Sequence, residues 1–219
     1  MQTFAVLVPL LFAGGWDRKM TTLPFPMRIL VLASTSPYRQ QLLRQLGLSF
    51  TVAAPLFAEQ LDQGVSPELL VRHQALHKAM SLAGRYPDAL IIGADQVFVD
   101  ARHRVVGKPG SVERAIAQLL EMQGRTHTFY TGVALFDSAS GLHRATCETF
   151  DVTLRPLTEE QIRRYVARDN PIDCAGSFRV EGLGIALMEQ MEGHDYTTLI
   201  GLPLIRLTEL LQQFDVDVL

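Results

Sequence analysis

The chain predicts an α/β fold built on a mixed sheet with flanking helices. Three observations carry this. Short apolar, β-branched runs such as Ile29–Leu32 and Ala89–Ala94 alternate with segments of helical spacing. Serine or threonine, followed by proline or a glutamate–glutamine pair, opens several of those helices. Two long extended runs, Thr126–Phe136 and His143–Leu154, flank a turn and read as a β-hairpin, so that part of the sheet is antiparallel.

Taken in order, Ile29–Leu32 is the first buried strand. Ala33-Ser34-Thr35-Ser36 then switches to small hydroxyl residues, and Tyr38–Leu46 has helical spacing through Leu42, Leu43 and Leu46. Ser36 suits the N-cap and Pro37 the first helical position, where a missing N–H costs nothing. Gly47 ends the helix. Ser49–Ala54 reads as a strand and Pro55–Val65 as a loop holding Glu59 and Asp62. Ser66-Pro67-Glu68 opens a helix to about Arg85. Ala89–Ala94 is a buried strand that Asp95 interrupts before Val97–Val99 resumes it. Ala101–Arg104 is a polar turn and Gly107–Gly110 an irregular loop. Ser111 caps a helix to about Gln123, stopped by Gly124. After the hairpin, Thr158-Glu159-Glu160-Gln161 matches a capping box and starts a helix to about Arg168. Ile172–Gly184 is glycine-bearing and irregular, Ile185–Met191 returns to strand, Gly193–Gly201 is a loop, and Pro203–Phe214 is the last helix. The last third could form a second lobe, and a cleft between lobes is the default ligand site.

With 219 residues, 47% hydrophobic and 20% charged, the chain can bury a substantial core. A net charge of −3 gives no reason to expect nucleic-acid binding, so an anionic ligand needs a local basic cluster. Two cysteines are too few for a disulfide scaffold and suit a reduced cytoplasm. No apolar run approaches the roughly 20 residues of a membrane-spanning helix. Phe4–Ala13 is apolar, but Arg18 and Lys19 follow it rather than precede it, which is the wrong layout for a signal peptide. Residues 1–26 therefore read as a dispensable extension and residues 27–219 as the domain.

Several nucleotide and catalytic motifs fail. Gly107-Lys108 lacks the upstream glycine and the following Ser/Thr of a P-loop, Gly182-Leu183-Gly184 lacks the third glycine of a dinucleotide fingerprint, and no Gly-x-Ser-x-Gly elbow occurs. His73 and His77, one turn apart, could ligate a metal, but a third ligand is not evident and a solvated face is the better reading. Cys174 is better read as a packed thiol than as a nucleophile. Two features remain. The Ser34–Arg39 turn offers free N–H groups, a helix N-terminus and a guanidinium to an anion; an ordinary strand–turn–helix with a solvated arginine has the same local sequence. Asp95 directly follows a buried apolar run, where a carboxylate is expensive unless it is paired, hydrogen-bonded or holding a metal. It falls at the strand edge where open α/β sheets bind ligands. Lys108 could reach the same edge.

Seven short motifs then occur in a familiar order: Ala33-Ser34-Thr35-Ser36-Pro37-Tyr38-Arg39, Gly93-Ala94-Asp95-Gln96, Gly107-Lys108-Pro109, Thr131-Gly132, Asp173-Cys174-Ala175-Gly176, Glu181-Gly182 and Gly201-Leu202-Pro203. The chain resembles the Maf-like family of nucleoside triphosphate pyrophosphatases over about residues 28–214. That resemblance implies an elongated α/β fold with a deep cleft, similar to the inosine triphosphate pyrophosphatases (the Maf/Ham fold), a divalent cation (Mg²⁺ or Mn²⁺) and release of pyrophosphate. It implies that Ser34, Arg39, Lys78 and Lys108 face the phosphates, that Asp95 is the catalytic carboxylate, and that Glu59 helps Asp95 hold metal. Helical periodicity by itself puts Lys78 on the polar face of its helix. Tyr38, Gln96 and Glu181 resemble the specificity set of the branch that prefers 7-methyl-GTP, although that branch often has tryptophan at position 38. The alternatives are a pyrophosphatase of dTTP and UTP in the same family, and a nucleotide-binding inhibitor of septum formation. The family resemblance also suggests a homodimer.

Overall fold

The computed structural model describes residues 28–58 and 64–219. One six-stranded sheet runs through them. Its strands are β1 (Ile29–Ala33), β2 (Thr51–Ala53), β3 (Ala89–Val99), β4 (Thr126–Asp137), β5 (His143–Leu154) and β6 (Met188–Gly193), in the spatial order β2-β1-β3-β4-β5-β6. β1 pairs in parallel with β2 and β3, and every pairing from β3 to β6 is antiparallel. The mixed sheet expected from the hairpin is therefore present. The helices are α1 (Pro37–Arg44), α2 (Pro67–Met80), α3 (Val112–Met122), α4 (Glu159–Asp169), α5 (Thr197–Ile200) and α6 (Leu204–Gln212).

The predicted caps form. The Ser36, Ser66 and Ser111 side chains each accept from a backbone N–H in the first turn of their helix, and Thr158 and Gln161 make the reciprocal capping box. Boundaries shift by a few residues. α2 ends at Met80 and continues to Arg85 only as turns, the expected Gly193–Gly201 loop contains α5, and β6 starts at Met188 behind a 3₁₀ stretch, Leu183–Leu187.

The expected break in the strand at Asp95 is overturned. Asp95 does not interrupt β3, which is continuous from Ala89 to Val99 with Asp95 in register opposite Gly132. A carboxylate is tolerated inside the strand because the Lys78 ammonium neutralises it at 2.5 Å. The edge argument survives in another form. β1 accompanies β3 only as far as the pair Ala33↔Gly93. Beyond Gly93, β3 has β4 on one side, and its other edge is without a partner strand until the Val99↔Val105 bridge, where the Val106 N–H donates to the Phe98 carbonyl.

Alternation along β3 sorts the core. Leu90, Ile92 and Ala94 face α1 and α6, where Leu42, Leu43, Leu207 and Leu211 cover them. Ile91 and Gly93 face α2, with Ala75 and Ala79 against them. The far ends of β3 to β5 join α3, α4 and Phe178 in a second core around Phe98, Phe129, Leu119 and Ile162. This second lobe is not the last third of the chain, because α6 packs back onto the first core. The two cores meet at the open stretch of β3.

Candidate active site

A cleft of about 590 Å³ lies at that junction. Its walls contain Ser34, Tyr38, Arg39, Lys78, Asp95, Gln96, Lys108 and Glu181. These are all the site residues expected from the sequence except Glu59, which lies outside the described residues. Six separate segments converge there: the turn after β1, the start of α1, the end of α2, mid-β3, the 107–110 loop and the 172–184 loop.

The floor is the Lys78–Asp95 pair. Both residues are 5% exposed, with Lys78 Nζ 2.5 Å from Asp95 Oδ1. Lys78 is thus not on a solvated face. The buried stripe of α2 is Leu70, Val71, Gln74, Ala75, Lys78 and Ala79, a regular helical face that contains two polar residues. Two glycines bring that face onto the sheet. A Cβ at Gly93 would lie 1.9 Å from the Ala75 carbonyl oxygen, and one at Gly132 would lie 2.2 Å from that of Val71. The helix backbone rests directly on β3 and β4, and this close approach sets Lys78 over Asp95.

The wall from β1 and α1 is the hydroxyl turn. Ser34 is buried and its Oγ accepts from the Ser36 N–H at 3.2 Å. Arg39 Nε donates to the Gly201 carbonyl at 2.8 Å. Gly201 adopts φ +113°, a left-handed conformation that glycine takes without strain. The carbonyl thereby ties α1 to the turn after α5.

Gln96, on the other face of β3 from Asp95, donates through Nε2 to Thr131 Oγ1 (2.8 Å), the Thr198 carbonyl (2.8 Å) and the Leu199 carbonyl (3.2 Å). Its amide group therefore locks α5 to the sheet. Tyr38 and Glu181 are exposed on opposite walls, and Lys108 is exposed at the rim. Cys174 lines the cleft, but burial first of all pushes its thiol above the usual cysteine range. Cys147, on β5, is pushed up to about 12 for the same reason. Neither is poised as a thiolate nucleophile.

Sequence reasoning missed Arg179, which also lines the cleft. Its Nη2 donates to the Asp169 carbonyl and carboxylate, at 2.8 and 2.9 Å. The only signal was a charged residue inside a glycine-bearing, irregular segment, two positions before Glu181. His73 and His77 stack on each other, with ring centroids 4.0 Å apart. Among the described residues no group of three or more His, Cys, Asp or Glu side chains is placed to hold a metal.

Two arginines, two lysines and a hydroxyl turn around one buried carboxylate define the class of protein: a mixed-sheet α/β protein with a cleft for a polyanionic ligand between two lobes. The sequence profile described as "Maf-like protein" matches residues 29–214, and the chain belongs to that family. A protein of Syntrophotalea carbinolica named 7-methyl-GTP pyrophosphatase is 64% identical over 193 residues, covering 88% of this chain and 98% of its own. Proteins of the same name from Pseudomonas putida and Pseudomonas aeruginosa are 52% and 49% identical, over 83% and 86% of this chain and 94% and 98% of theirs. Among solved structures, the Ham1 protein of Staphylococcus aureus aligns with 59% of this chain and 73% of its own, at a TM-score of 0.42 and 15% identity.

Proposed function

We propose that this protein hydrolyses 7-methyl-GTP to 7-methyl-GMP and pyrophosphate, and so removes a modified nucleotide. The observation that carries the reaction is the buried Lys78–Asp95 pair at the floor of a cation-lined cleft. The names of the relatives support the substrate. A protein that only bound nucleotides, such as an inhibitor of septum formation, would need the basic groups but not a carboxylate buried beside them.

In this reading Ser34, Arg39 and Lys108 hold the triphosphate. Asp95 orients a water, or takes its proton, for attack at the α-phosphorus. The P–O bond to the β-phosphate breaks, and Lys78 and Lys108 meet the charge that builds on the leaving pyrophosphate. Lys78 also offsets the charge of Asp95 at the floor of the cleft.

The donor set fits a hard divalent cation. Mg²⁺ is commonly held by one or two carboxylates, with substrate phosphates and water completing the shell. Asp95 is one such carboxylate, Ser34 Oγ is a neutral oxygen lining the same cleft, and Glu59 would be the second carboxylate. When bound, Mg²⁺ or Mn²⁺ supplies charge neutralisation on the triphosphate. EDTA should accordingly stop turnover and added Mg²⁺ or Mn²⁺ restore it. Among the described residues no helix is long and apolar enough to cross a membrane, and the two cysteines are unpaired; both suit a cytoplasmic enzyme acting on a free nucleotide. A homodimer belongs to the same reading and is checked by sedimentation.

For the base, Tyr38 offers an aromatic face to the cationic ring, a contact worth about 0.5–2 kcal/mol. Glu181, an acceptor only when ionised, suits the N–H donors of the guanine edge. The test is pyrophosphate release from 7-methyl-GTP, GTP, UTP and dTTP at equal concentrations. The expected order puts 7-methyl-GTP first, and Glu181→Gln should erode that preference mainly in kcat/KM. Faster turnover of UTP or dTTP would overturn the base reading and leave the hydrolytic one standing. Tight binding with no release from any nucleotide would favour the regulator.

A further inference from the structure

His73 and His77 sit one turn apart on α2 and do not splay into water as two solvated side chains would. Their ring centroids lie 4.0 Å apart with the planes at 38°. His77 also packs on Phe57, with centroids 5.4 Å apart and the planes at 31°. His77 is half-buried against these two neighbours, while His73 is exposed. Among the described residues no hydrogen bond engages either imidazole, so ring packing holds the pair and leaves its nitrogens uncommitted.

The spacing is a chelating one. Residues four apart on a helix stand one above the other, with Cβ atoms about 5–6 Å apart, and two histidines so placed can offer ring nitrogens to one cation. Imidazole suits Zn²⁺, Ni²⁺ and Cu²⁺, whereas Mg²⁺ takes oxygen ligands. A ring must be neutral to bind metal. Burial, and after it the neighbouring His73, lower the pKa of His77 and favour that form. Among the described residues no third His, Cys, Asp or Glu side chain joins the pair. Two protein ligands leave the other positions to water, which makes the site open and exchangeable rather than a closed structural one.

We propose that His73 and His77 form a metal site of their own, on α2 beside the cleft, that chelates a divalent transition ion such as Zn²⁺, Ni²⁺ or Cu²⁺ and does not take Mg²⁺. The ion bridges successive turns of the helix just before Lys78, which is buried on Asp95, and holds the His77 ring against Phe57, which lines the cleft. The site is independent of the reaction proposed above.

The test uses the untagged full chain with Mg²⁺ in excess and Ni²⁺ as the probe. Calorimetric titration should show saturable uptake of a single Ni²⁺ per chain. His73→Asn and His77→Asn each remove half of the chelate and should weaken uptake about tenfold or more, at least the loss that follows when a ligand's outer partner is removed. His143→Asn, on an exposed stretch of β5, should leave it unchanged. Ni²⁺ should raise the melting temperature of wild type and not that of His73→Asn. With Cu²⁺ bound, the electron paramagnetic resonance spectrum should show two coupled imidazole nitrogens in wild type and one in His73→Asn. No saturable uptake, or equal affinity and equal melting shift in His73→Asn and wild type, would overturn the proposal. So would uptake lost in Cys174→Ser but kept in His73→Asn, which would place the ion on the cleft thiol. Because His73 is exposed, its substitution leaves the core intact and decides the matter even where His77→Asn, which also loses the Phe57 contact, fails to fold. All three readouts are independent of turnover, so they stand whichever nucleotide the protein hydrolyses.

Discussion

Lys78 Nζ and Asp95 Oδ1 meet at 2.5 Å in a place almost closed to water, and each makes the other tolerable there. Removing one partner of such a pair generally costs about 3–5 kcal/mol because the other charge is left buried. Asp95→Asn is the mildest way to separate catalysis from that penalty, since the amide oxygen still accepts from Lys78. It loses the charge that prepares water. Pyrophosphate release should fall roughly 10²-fold or more while nucleotide affinity, measured at equilibrium, is largely retained. Near-wild-type turnover would remove Asp95 from the catalytic role. Asp95 was legible in the sequence because an ionisable residue inside a buried apolar run needs an explanation. Lys78 was not, since hydrophobic periodicity assigns lysines to the solvated face, and only the family resemblance selected it. Arg179 escaped both routes: it lies in an irregular segment, and its partners Asp169 and Tyr165 are contacts that no local pattern encodes.

At the scale of elements, α2 shows where pattern reading fails. Its buried stripe recurs with helical spacing, but Gln74 and Lys78 occupy two of the six positions, while Leu69 and Met80 are exposed. The amphipathic signal is blurred where the site draws polar groups into the core. Caps, by contrast, were readable, because a capping box or Ser-Pro start is a local arrangement. Close backbone approach is the other unreadable feature. Gly93→Ala would set a methyl group 1.9 Å from the Ala75 carbonyl oxygen, so α2 must lift. Overpacking of this kind costs about 1–3 kcal/mol, and here it also pulls Lys78 away from Asp95. Thermal melting and turnover should both drop; a variant as stable and active as wild type would show that the helix has slack. A second junction responds to pH. His127, at the start of β4, holds the end of α3 and the turn after β3. Its Nε2 bonds the Met122 carbonyl at 2.8 Å, and its Nδ1 accepts from the Ala101 N–H at 3.1 Å. Burial lowers its pKa, outweighing the upward pull of the Met122 carbonyl and Asp100. The unfolded chain, where histidine titrates near about 6.5, binds a proton before the folded one does. The stability from neutral His127 is therefore complete above that pH and is lost as pH falls through the folded value. Melting temperature should decline between pH 7 and 5 in wild type, and His127→Gln should flatten the decline.

For the whole molecule, the order of strands and helices was readable from runs, caps and breakers, but the division into lobes was not. Two cores share one sheet, and α6 returns from the end of the chain to the first of them. Such returns depend on which strand edges remain open, and that is a property of the assembled sheet. The charge distribution is likewise global: a chain of net charge −3 gathers Arg39, Lys78, Lys108 and Arg179 around one cleft. Residues 1–26, read as dispensable, lie outside the described residues, so the reading stands as a prediction about where the folded unit starts. Within the described residues, the first side chain tied to the fold is Arg28. Its Nη1 lies 2.7 Å from Asp137 Oδ2 at the β4–β5 turn. Burial works against ionised Asp137, yet hydrogen bonds from Ser140, Arg28 and the Ala139 and Ser140 N–H groups hold its carboxyl below the usual range. A chain beginning at Met27 keeps that clamp, and β1 follows immediately with Leu30–Ala33 buried. It should melt within about 2 °C of the full chain and hydrolyse the same nucleotide at the same rate. A chain beginning at Ile29 loses the guanidinium partner of a buried carboxylate and should melt several degrees lower, about 4–8 °C for each kcal/mol in a small domain and less in one of this size. If the Met27 chain instead shows the larger loss, residues 1–26 pack against the domain and belong to the fold.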